Sequence, residues 1–433
     1  MGSWLIQHAT VVTVDENATV LPRADVLIQG REIAGLWPSE ARPAEVTAER
    51  VLEAEGRVLM PGLVNTHTHA AMTLLRGYAD DMELMPWLQE RIWPLEAKLE
   101  AEDVYWGTML GIAEMLRGGV TCFSDMYHFY GEGACAVLDS GIRANIAGVL
   151  LGFLPNAEER LEQAVAWAKE AQGAGDGRLV AVLGPHAPYT CPDPLLTKVV
   201  TAARQEGLGI HIHLAETAGE VVDSLREHGL TPVQHAHRLG LLDLHPIVAA
   251  HCNHLSDEDI DLMAASRLAV AHNPGSNMKL ASGVCPVPKL LSRGVVVGLG
   301  TDGPASNNNL DMVEEMRLAA LLHKSRTGDP TVVPASQALA MATREGAKAL
   351  GLGDRIGQIK VGLKADLALL DFDQPHLHPR HDVVSHLVYS ARASDVRTVF
   401  VDGEPLLLEG KLLTIDEQEI YAQVDARVER LGA

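Results

Sequence analysis

Short apolar runs alternate with longer amphipathic stretches through the middle of the chain, and this alternation constrains the fold more than any other feature. Such runs are typical of strands buried on both faces, and the amphipathic stretches are typical of the helices that connect parallel strands. Eight runs occur, at residues 58–64, 119–123, 143–149, 179–183, 209–213, 247–250, 268–271 and 295–299. Eight strand–helix units predict an α/β fold, a closed (β/α)₈ or TIM barrel, over residues 58–358.

The two ends of the chain have a different pattern. Four segments are rich in β-forming residues, at 4–14, 24–37, 364–371 and 396–408. We therefore predict that residues 1–57 and 359–433 pair into one small β-sandwich domain beside the barrel. Helices are predicted at 334–350 and, as a terminal helix, at 412–431.

The charge balance narrows the classes of partner. The 433 residues include 35 basic and 57 acidic side chains, for a formal net charge of -22. This charge repels phosphate backbones and anionic membrane surfaces, so neither nucleic acid nor membrane is an expected partner. No apolar run reaches the roughly 18 to 20 residues that span a bilayer, and the first residues lack a signal-peptide pattern. These features predict a cytoplasmic protein.

The cysteines exclude one kind of metal site. The five are scattered, at positions 122, 135, 191, 252 and 285, and none forms a CxxC pair. We expect most of them to be reduced and buried, because a chain of this length folds without disulfides. A zinc site built from thiolates is excluded, so any metal must be held by histidine and carboxylate.

Polar residues collect at the carboxyl ends of the predicted strands. His67 and His69 follow the first run and are two residues apart, so their side chains share one face of a strand. Other runs are followed by His186, His213, Glu216, His251, His272 and Asp302. Because this end of a (β/α)₈ barrel is the catalytic face, we expect these side chains to surround one opening.

Each of these residues has a purely structural alternative when it is considered alone. A buried histidine often satisfies a hydrogen bond in the core, which applies to His186, His251 and His272. Asp302 precedes a glycine and could shape a turn, and Glu216 could favour the first turn of a helix. The joint arrangement favours a functional site. Four further histidines are more typical of surface or helix positions: His235, His237, His245 and His254.

Several of these motifs together resemble a known family. Residues 61–69 (PGLVNTHTH), with 213–216 (HLAE), His251 and 300–303 (GTDG), are similar to the amidohydrolase superfamily, in its cytosine deaminase and chlorohydrolase-like branch. The resemblance covers essentially the whole chain, since residues 362–367 are similar to the segment where the family's chain leaves the barrel.

The resemblance implies a single metal centre. His67, His69, His213 and Asp302 would hold one divalent metal and leave one position for water. Three imidazoles and one carboxylate suit Zn²⁺, though Fe²⁺, Mn²⁺ or Ni²⁺ can occupy such a site. Binuclear relatives that open cyclic amides usually carry a bridging lysine on the fourth strand. That strand ends here as LGPH at residues 183–186, so hydantoinase-like activity is disfavoured.

The reaction expected from the resemblance is hydrolytic deamination. Coordination can lower the pKa of water from about 15.7 to near 7. Asp302 would accept the water proton while His251 orients the nucleophile toward a ring carbon that bears an amino group. Glu216 would protonate the adjacent ring nitrogen, and Asp302 would return a proton to the leaving ammonia.

Two segments indicate the substrate class. Residues 85–96 and 184–189 are similar to the 5'-methylthioadenosine / S-adenosylhomocysteine deaminase group. By position, Glu96 would accept hydrogen bonds from the two ribose hydroxyls, His186 would contact the purine and Trp87 would form a wall. A carboxylate suits a diol because it only accepts hydrogen bonds.

Several alternatives stay open at this point. Trp87 and Trp93 could be core residues of an amphipathic helix whose solvated face carries Glu96. Arg143 is the candidate partner for the homocysteine carboxylate, but residues 145–156 contain no arginine. An unpaired carboxylate binds poorly, so we favour 5'-methylthioadenosine and other 5'-modified adenosines over S-adenosylhomocysteine. Guanine, pterins or triazines are alternative substrates, and a non-catalytic barrel homologue is the alternative outside enzymes. Self-association as a homo-oligomer is possible.

Overall fold

The computed structural model describes residues 2–432 and contains two sheets connected by helices. The strands are β1 (Ser3–Val12), β2 (Val20–Gln29), β3 (Glu32–Pro38), β4 (Arg50–Glu53), β5 (Arg57–Pro61), β6 (Leu63–Thr68), β7 (Val120–Tyr127), β8 (Arg143–Leu150), β9 (Leu179–Pro185), β10 (Ile210–Leu214), β11 (Ile247–His251), β12 (Leu268–His272), β13 (Val297–Leu299), β14 (Leu367–Asp371), β15 (Val396–Val401), β16 (Glu404–Leu408) and β17 (Lys411–Leu412). The α-helices are Leu84–Pro86, Trp93–Glu96, Ala101–Arg117, Tyr130–Ser140, Ala157–Ala171, Ala174–Gly177, Asp193–Glu206, Ala218–His228, Pro232–Arg238, Asp257–Ala265, Pro274–Lys279, Val287–Ser292, Met312–Thr327, Ala335–Met341, Arg344–Ala349, Val383–Tyr389 and Glu417–Leu431.

Strands β6 to β13 form the barrel. They lie side by side in chain order, and every neighbouring pair is parallel. The last strand meets the first through the backbone N–H of Asp302, which donates to His67 O at 3.0 Å, and through the Thr66 hydroxyl, which donates to Leu299 O at 2.8 Å. The predicted (β/α)₈ barrel is confirmed.

The first apolar run of the sequence differs from its prediction, because residues 58–64 belong to two strands. Strand β5 pairs with β1 and β14 in the other sheet, and the barrel starts at Leu63. Gly62 lies between the two strands. A Cβ at Gly62 would come within 2.1 Å of the Thr121 side chain, so the chain passes too close to β7 for any larger residue.

The second sheet is built from both ends of the chain, as predicted. Its order is β17-β16-β15-β14-β5-β1-β2-β3, with β4 paired to β1. The rings of Trp4 on β1 and Phe400 on β15 make an edge-to-face contact with centroids 5.4 Å apart. Three strand spacings in a flat sheet are about 14 Å, so the sheet curls around its own core in the manner of a sandwich.

Arg143 is the one predicted substrate-binding residue that the structure places elsewhere. It is the first residue of β8 and is fully buried at the amino end of the barrel, opposite the catalytic face. Its guanidinium donates to both carboxylate oxygens of Asp366, at 2.8 and 3.0 Å, and to Asp402 at 3.0 Å. Arg143 therefore ties the barrel to the sheet domain, and its prediction as a partner of the substrate carboxylate is wrong.

Two predicted helices have different bounds in the structure. The predicted helix at 334–350 is two helices, because Thr343 between them has a non-helical backbone (φ -134°, ψ -93°). The terminal helix starts at Glu417, since Lys411 and Leu412 form β17. All five cysteines are free, and only Cys135 is exposed. Within residues 2–432, no helix combines the length and apolar character required to cross a bilayer.

Candidate active site

A cavity opens at the carboxyl ends of the barrel strands. Eight predicted site residues line it: His69, Trp87, Glu96, His186, His213, Glu216, His251 and Asp302. His67 lies fully buried below them. His272 lies outside this cavity and contacts the buried His323, at 3.1 Å between their Nε2 atoms, which agrees with its structural alternative.

The four predicted metal ligands converge. The Nε2 atoms of His67 and His69 lie 3.3 and 3.2 Å from Asp302 Oδ1, and His213 Nε2 lies 3.3 Å from His69 Nε2. Four ligands arranged tetrahedrally around an ion at about 2.0–2.1 Å are separated by about 3.3 Å. His67 Nε2 is also buried without a hydrogen-bond partner. The arrangement fits a divalent metal, because an ion would satisfy this nitrogen and neutralise the carboxylate.

The other nitrogen of each histidine is held by a neighbour. Nδ1 of His69 donates to Met126 O at 2.5 Å, and Nδ1 of His213 donates to His186 O at 2.7 Å. Nδ1 of His67 lies 2.8 Å from His211 Nε2. The two carbonyls place the proton on Nδ1 of His69 and His213, and all three contacts direct Nε2 toward the common centre, which is the usual support of a histidine ligand.

Asp302 is held ionised and oriented. Its Oδ2 accepts hydrogen bonds from the hydroxyls of Ser276, at 2.6 Å, and Ser306, at 2.9 Å, which leaves Oδ1 for the histidines. Burial alone would raise the pKa of Asp302, but the imidazoles of His67 and His69 hold it well below its ordinary value. Burial also lowers the pKa of His67 to about 4, so that this ligand is neutral.

Glu216 is buried two residues beyond β10. Its Oε1 accepts a hydrogen bond from the Ser282 hydroxyl at 2.9 Å. The Glu220 carboxylate fixes the local backbone, because it accepts the N–H groups of Ala215 and Glu216 at 2.9 and 2.8 Å. Burial raises the pKa of Glu216, against the opposing effect of His251. A carboxyl with a raised pKa can hold a proton and donate it near neutral pH.

His251 faces Glu216 across the cavity. Its Nδ1 donates to Asn277 Oδ1 at 2.8 Å, and its Nε2 lies 3.7 Å from Glu216 Oε2. His251, Ala215 and Asp302 all have positive φ, at 71°, 52° and 61°. Backbone in this region is unfavourable for non-glycine residues and is retained where the surroundings require it. Here it turns the chain at the strand ends so that the side chains point inward.

The mouth of the cavity is formed by a helical segment after β6. Its middle, Trp87–Ile92, is a π-helix. Such turns are rare in proteins, and those that occur are often found at functional sites. The Trp87 indole is buried and donates to Ala79 O at 3.0 Å. The Glu96 side chain is 8% exposed, and its Oε2 lies 3.7 Å from His128 Nε2. Glu96 is therefore a wall of the cavity rather than part of a solvated helix face.

Sequence reasoning missed several supporting residues. His211 is two residues before His213 on β10, and the alternation IHIHL was a signal that both histidines point into the barrel. His211 contacts His67 and, through Nδ1, the Ser124 hydroxyl at 3.1 Å. Ser276, Ser282 and Ser306 had no distinguishing signal, because serine occurs at many other positions of the chain.

Comparison with known proteins agrees with this geometry. The amidohydrolase family matches residues 58–406 of the chain. A 5-methylthioadenosine/S-adenosylhomocysteine deaminase of Moorella thermoacetica is 51% identical over 430 residues, which are 99% of this chain and 100% of that protein.

Solved structures show the same fold. An adenosine deaminase from Xanthomonas campestris with bound zinc superposes with a TM-score of 0.95 at 38% identity, over 99% of this chain and 98% of that one. An atrazine chlorohydrolase from Arthrobacter aurescens, complexed with zinc, has a TM-score of 0.91 at 24% identity, over 98% of this chain and 100% of that one. The second likeness is one of fold alone.

Proposed function

This chain belongs to the amidohydrolase family, and on that premise we propose that it is a metal-dependent hydrolase that removes the 6-amino group of adenosine-type nucleosides as ammonia. One observation carries the proposal: Glu96, a carboxylate suited to a ribose diol, lines the same cavity as Glu216 and three of the four metal-ligand residues, His69, His213 and Asp302. The cavity can therefore hold a base at its floor and a sugar at its mouth.

The residues divide the chemistry among them. A divalent metal bound by His67, His69, His213 and Asp302 would lower the pKa of a water molecule to near 7. Asp302 is ionised and takes up the proton of the attacking water. Because Nδ1 of His251 donates to Asn277 Oδ1, its Nε2 accepts a hydrogen bond from that water and so orients it.

Glu216 supplies the acid. Its raised pKa favours the protonated form, which donates to the purine nitrogen next to the attacked carbon. The attacked carbon becomes tetrahedral, and the proton held by Asp302 passes to the amino group. Ammonia then leaves, the added hydroxyl becomes the carbonyl of the inosine-type product, and the hydroxyl proton returns to Glu216.

The cavity wall supports a preference for an uncharged 5' substituent. Its lining includes Leu84, Leu88, Leu151 and Leu280. Among the described residues, 2–432, no lysine or arginine lines this cavity. The carboxylate of S-adenosylhomocysteine would enter without a permanent cationic partner. We therefore place 5'-methylthioadenosine ahead of S-adenosylhomocysteine as the substrate.

Zn²⁺ is the metal we propose. The set of three nitrogens and one carboxylate oxygen with tetrahedral spacing favours it, and the adenosine deaminase of Xanthomonas campestris holds zinc. Fe²⁺, Mn²⁺ and Ni²⁺ accept the same ligands, so a metal-free protein reloaded with each ion in turn distinguishes them.

An ammonia-release screen tests the function. Metal-replete protein is assayed with 5'-methylthioadenosine, S-adenosylhomocysteine, adenosine, guanine, a pterin and a triazine. We expect the highest kcat/KM for 5'-methylthioadenosine, loss of activity after metal chelation, and recovery with Zn²⁺. Activity confined to guanine, pterin or triazine would contradict the proposal, as would a metal-replete protein that deaminates none of these compounds. A higher kcat/KM for S-adenosylhomocysteine would contradict only the preference for an uncharged tail.

A further inference from the structure

A second cluster of metal-binding residue types lies outside the active-site cavity. Asp193 is the first residue of the helix after β9, His228 is the last residue of the helix after β10, and His235 lies in the next helix. One ligand atom from each of these three side chains lies within 4.8 Å of the other two. Segments from consecutive βα units thus meet at one point on the outside of the barrel.

The buried Nε2 of His235 is paired with the Asp193 carboxylate but is poorly aligned for a hydrogen bond. The His235 side chain is 2% exposed, and its Nε2 lies 2.8 Å from Asp193 Oδ1, but the contact lacks the geometry of a hydrogen bond. A buried polar atom without a well-aligned partner is unfavourable, and native structures seldom retain one. A cation between the imidazole and the carboxylate would satisfy it.

The other atoms of the cluster are compatible with a bound ion. The imidazole rings of His228 and His235 are stacked, with centroids 3.8 Å apart and an angle of 27° between their planes. The second oxygen of Asp193 faces the Arg238 guanidinium at 3.6 Å, which leaves Oδ1 for an ion. Burial lowers the pKa of His235, so its imidazole is neutral, as a metal ligand must be.

We propose that Asp193, His228 and His235 form a second metal site that takes a divalent transition metal such as Zn²⁺. Two imidazoles and a carboxylate suit that class of ion, and small side-chain rotations bring the ligand atoms to the spacing of about 3.3 Å that a tetrahedral ion requires. The site has three protein ligands and an Asp193 side chain that is 40% exposed, so it binds more weakly than the buried site with four ligands.

The position of this site connects it with the active-site cavity. The three ligands line a neighbouring cavity whose wall also includes Tyr189, and Tyr189 lines the active-site cavity as well. A bound ion would fix the helix after the His186 loop to the helices that follow Glu216. The inference does not depend on the proposed function, because it concerns binding of metal outside the catalytic residues.

Zinc stoichiometry at equilibrium tests the proposal. The parent protein, Asp193→Asn, His228→Ala and the control His237→Ala are dialysed against the same buffered excess of Zn²⁺ and analysed for metal per chain. His237 is exposed and lies on the same helix as His235, so its loss controls for adventitious binding to surface histidines. We expect two equivalents for the parent and His237→Ala, and one equivalent for Asp193→Asn and His228→Ala.

Melting temperatures and ammonia release complete the experiment. The two variants with one equivalent should still fold and retain the catalytic metal. A parent that holds a single equivalent in excess Zn²⁺ would overturn the proposal. So would a second equivalent that survives in Asp193→Asn and His228→Ala, or a lower melting temperature of these variants with unchanged stoichiometry, since the cluster would then be a contact between helices only.

Discussion

Glu216 illustrates, at the scale of single residues, how the surroundings set a chemical role. Asp302 and Glu216 are both buried carboxyls in one cavity, but two imidazoles lower the pKa of Asp302 while burial raises that of Glu216. When two carboxyls in one site have pKa values shifted in opposite directions, the one with the lowered pKa can act as the base and the one with the raised pKa as the acid. Here these are Asp302 and Glu216.

Replacement of the proposed acid is the first prediction. Glu216→Gln cannot donate the proton, so turnover should fall by about 10²- to 10⁴-fold. The metal content should stay unchanged, because Glu216 is not among the four ligands. Glu227→Gln, at an exposed position on the following helix, serves as the control and should keep parental turnover. A Glu216→Gln protein with parental turnover would show that another group is the acid.

Glu96 carries the second prediction. Hydrogen bonds to a charged group contribute about 1.5–3 kcal/mol each, so Glu96→Ala should lower kcat/KM for 5'-methylthioadenosine by roughly 10- to 100-fold or more. Glu90→Ala removes an exposed carboxylate from the same helical segment and should have no such effect. Deamination of a purine without ribose, where measurable, should be unchanged by Glu96→Ala. An equal loss on both kinds of substrate would argue against ribose binding.

The junction between barrel and sheet domain is the main feature at the scale of elements. Arg143 at the start of β8 meets Asp366 and Asp402, which lie at the ends of sheet-domain strands. The amino end of a TIM barrel serves stability, whereas the carboxyl end serves catalysis. A buried arginine with two carboxylates therefore stabilises the assembly of the two parts.

Removal of this arginine gives the third prediction. Arg143→Met leaves the buried Asp366 carboxylate without its cationic partner and removes one of the two arginines that face Asp402. It should lower the free energy of unfolding by about 3–5 kcal/mol, measured by denaturant unfolding. Arg23→Met breaks an exposed ion pair with Glu55 and should change it by less than about 1 kcal/mol. In Arg143→Lys, which is expected to fold, the ratio of kcat/KM for 5'-methylthioadenosine and S-adenosylhomocysteine should match the parent. A changed ratio would return Arg143 to substrate binding.

The dependence of stability on pH belongs to the whole molecule. Glu315 is fully buried in the helix Met312–Thr327, and burial raises its pKa from 4.5 to about 8, although Gly275 N–H and the Asn307 amide donate to it. Because the folded state binds this proton more tightly than the unfolded state does, the stability contributed by Glu315 is present below about pH 4.5. It is lost as the pH rises toward 8.

The fourth prediction compares two slopes. Glu315→Gln removes the titrating group, so its free energy of unfolding should decrease less than that of the parent between pH 5 and about 8. The variant is expected to be less stable at the lower pH, since the Gln amide replaces one acceptor oxygen. The slope is the measured quantity, and parallel curves for the two proteins would contradict the raised pKa of Glu315.

Much of this protein was determined by patterns local in the sequence. The eight buried strands, the pairing of the two ends and the placement of His67, His69, His213 and Asp302 followed from periodicity and from the rule that strand ends share one face. Such patterns depend only on neighbouring residues and on the period of a strand or helix.

Only the tertiary structure determined the features that depend on residues distant in the chain, such as strand partners and side-chain contacts. Strands β5 and β6 form one continuous apolar run in the sequence, because both are buried. They are distinguished only by their partners in the structure, since β5 pairs with β14 and β6 pairs with β7. Arg143 was predicted to contact the substrate, but in the folded chain it binds Asp366 and Asp402 instead. The roles of His211 and Ser276 depend on the metal-ligand residues that they contact, His67 and Asp302. A side chain's charge state and partner are set by what surrounds it in space, and that information lies in no single stretch of sequence.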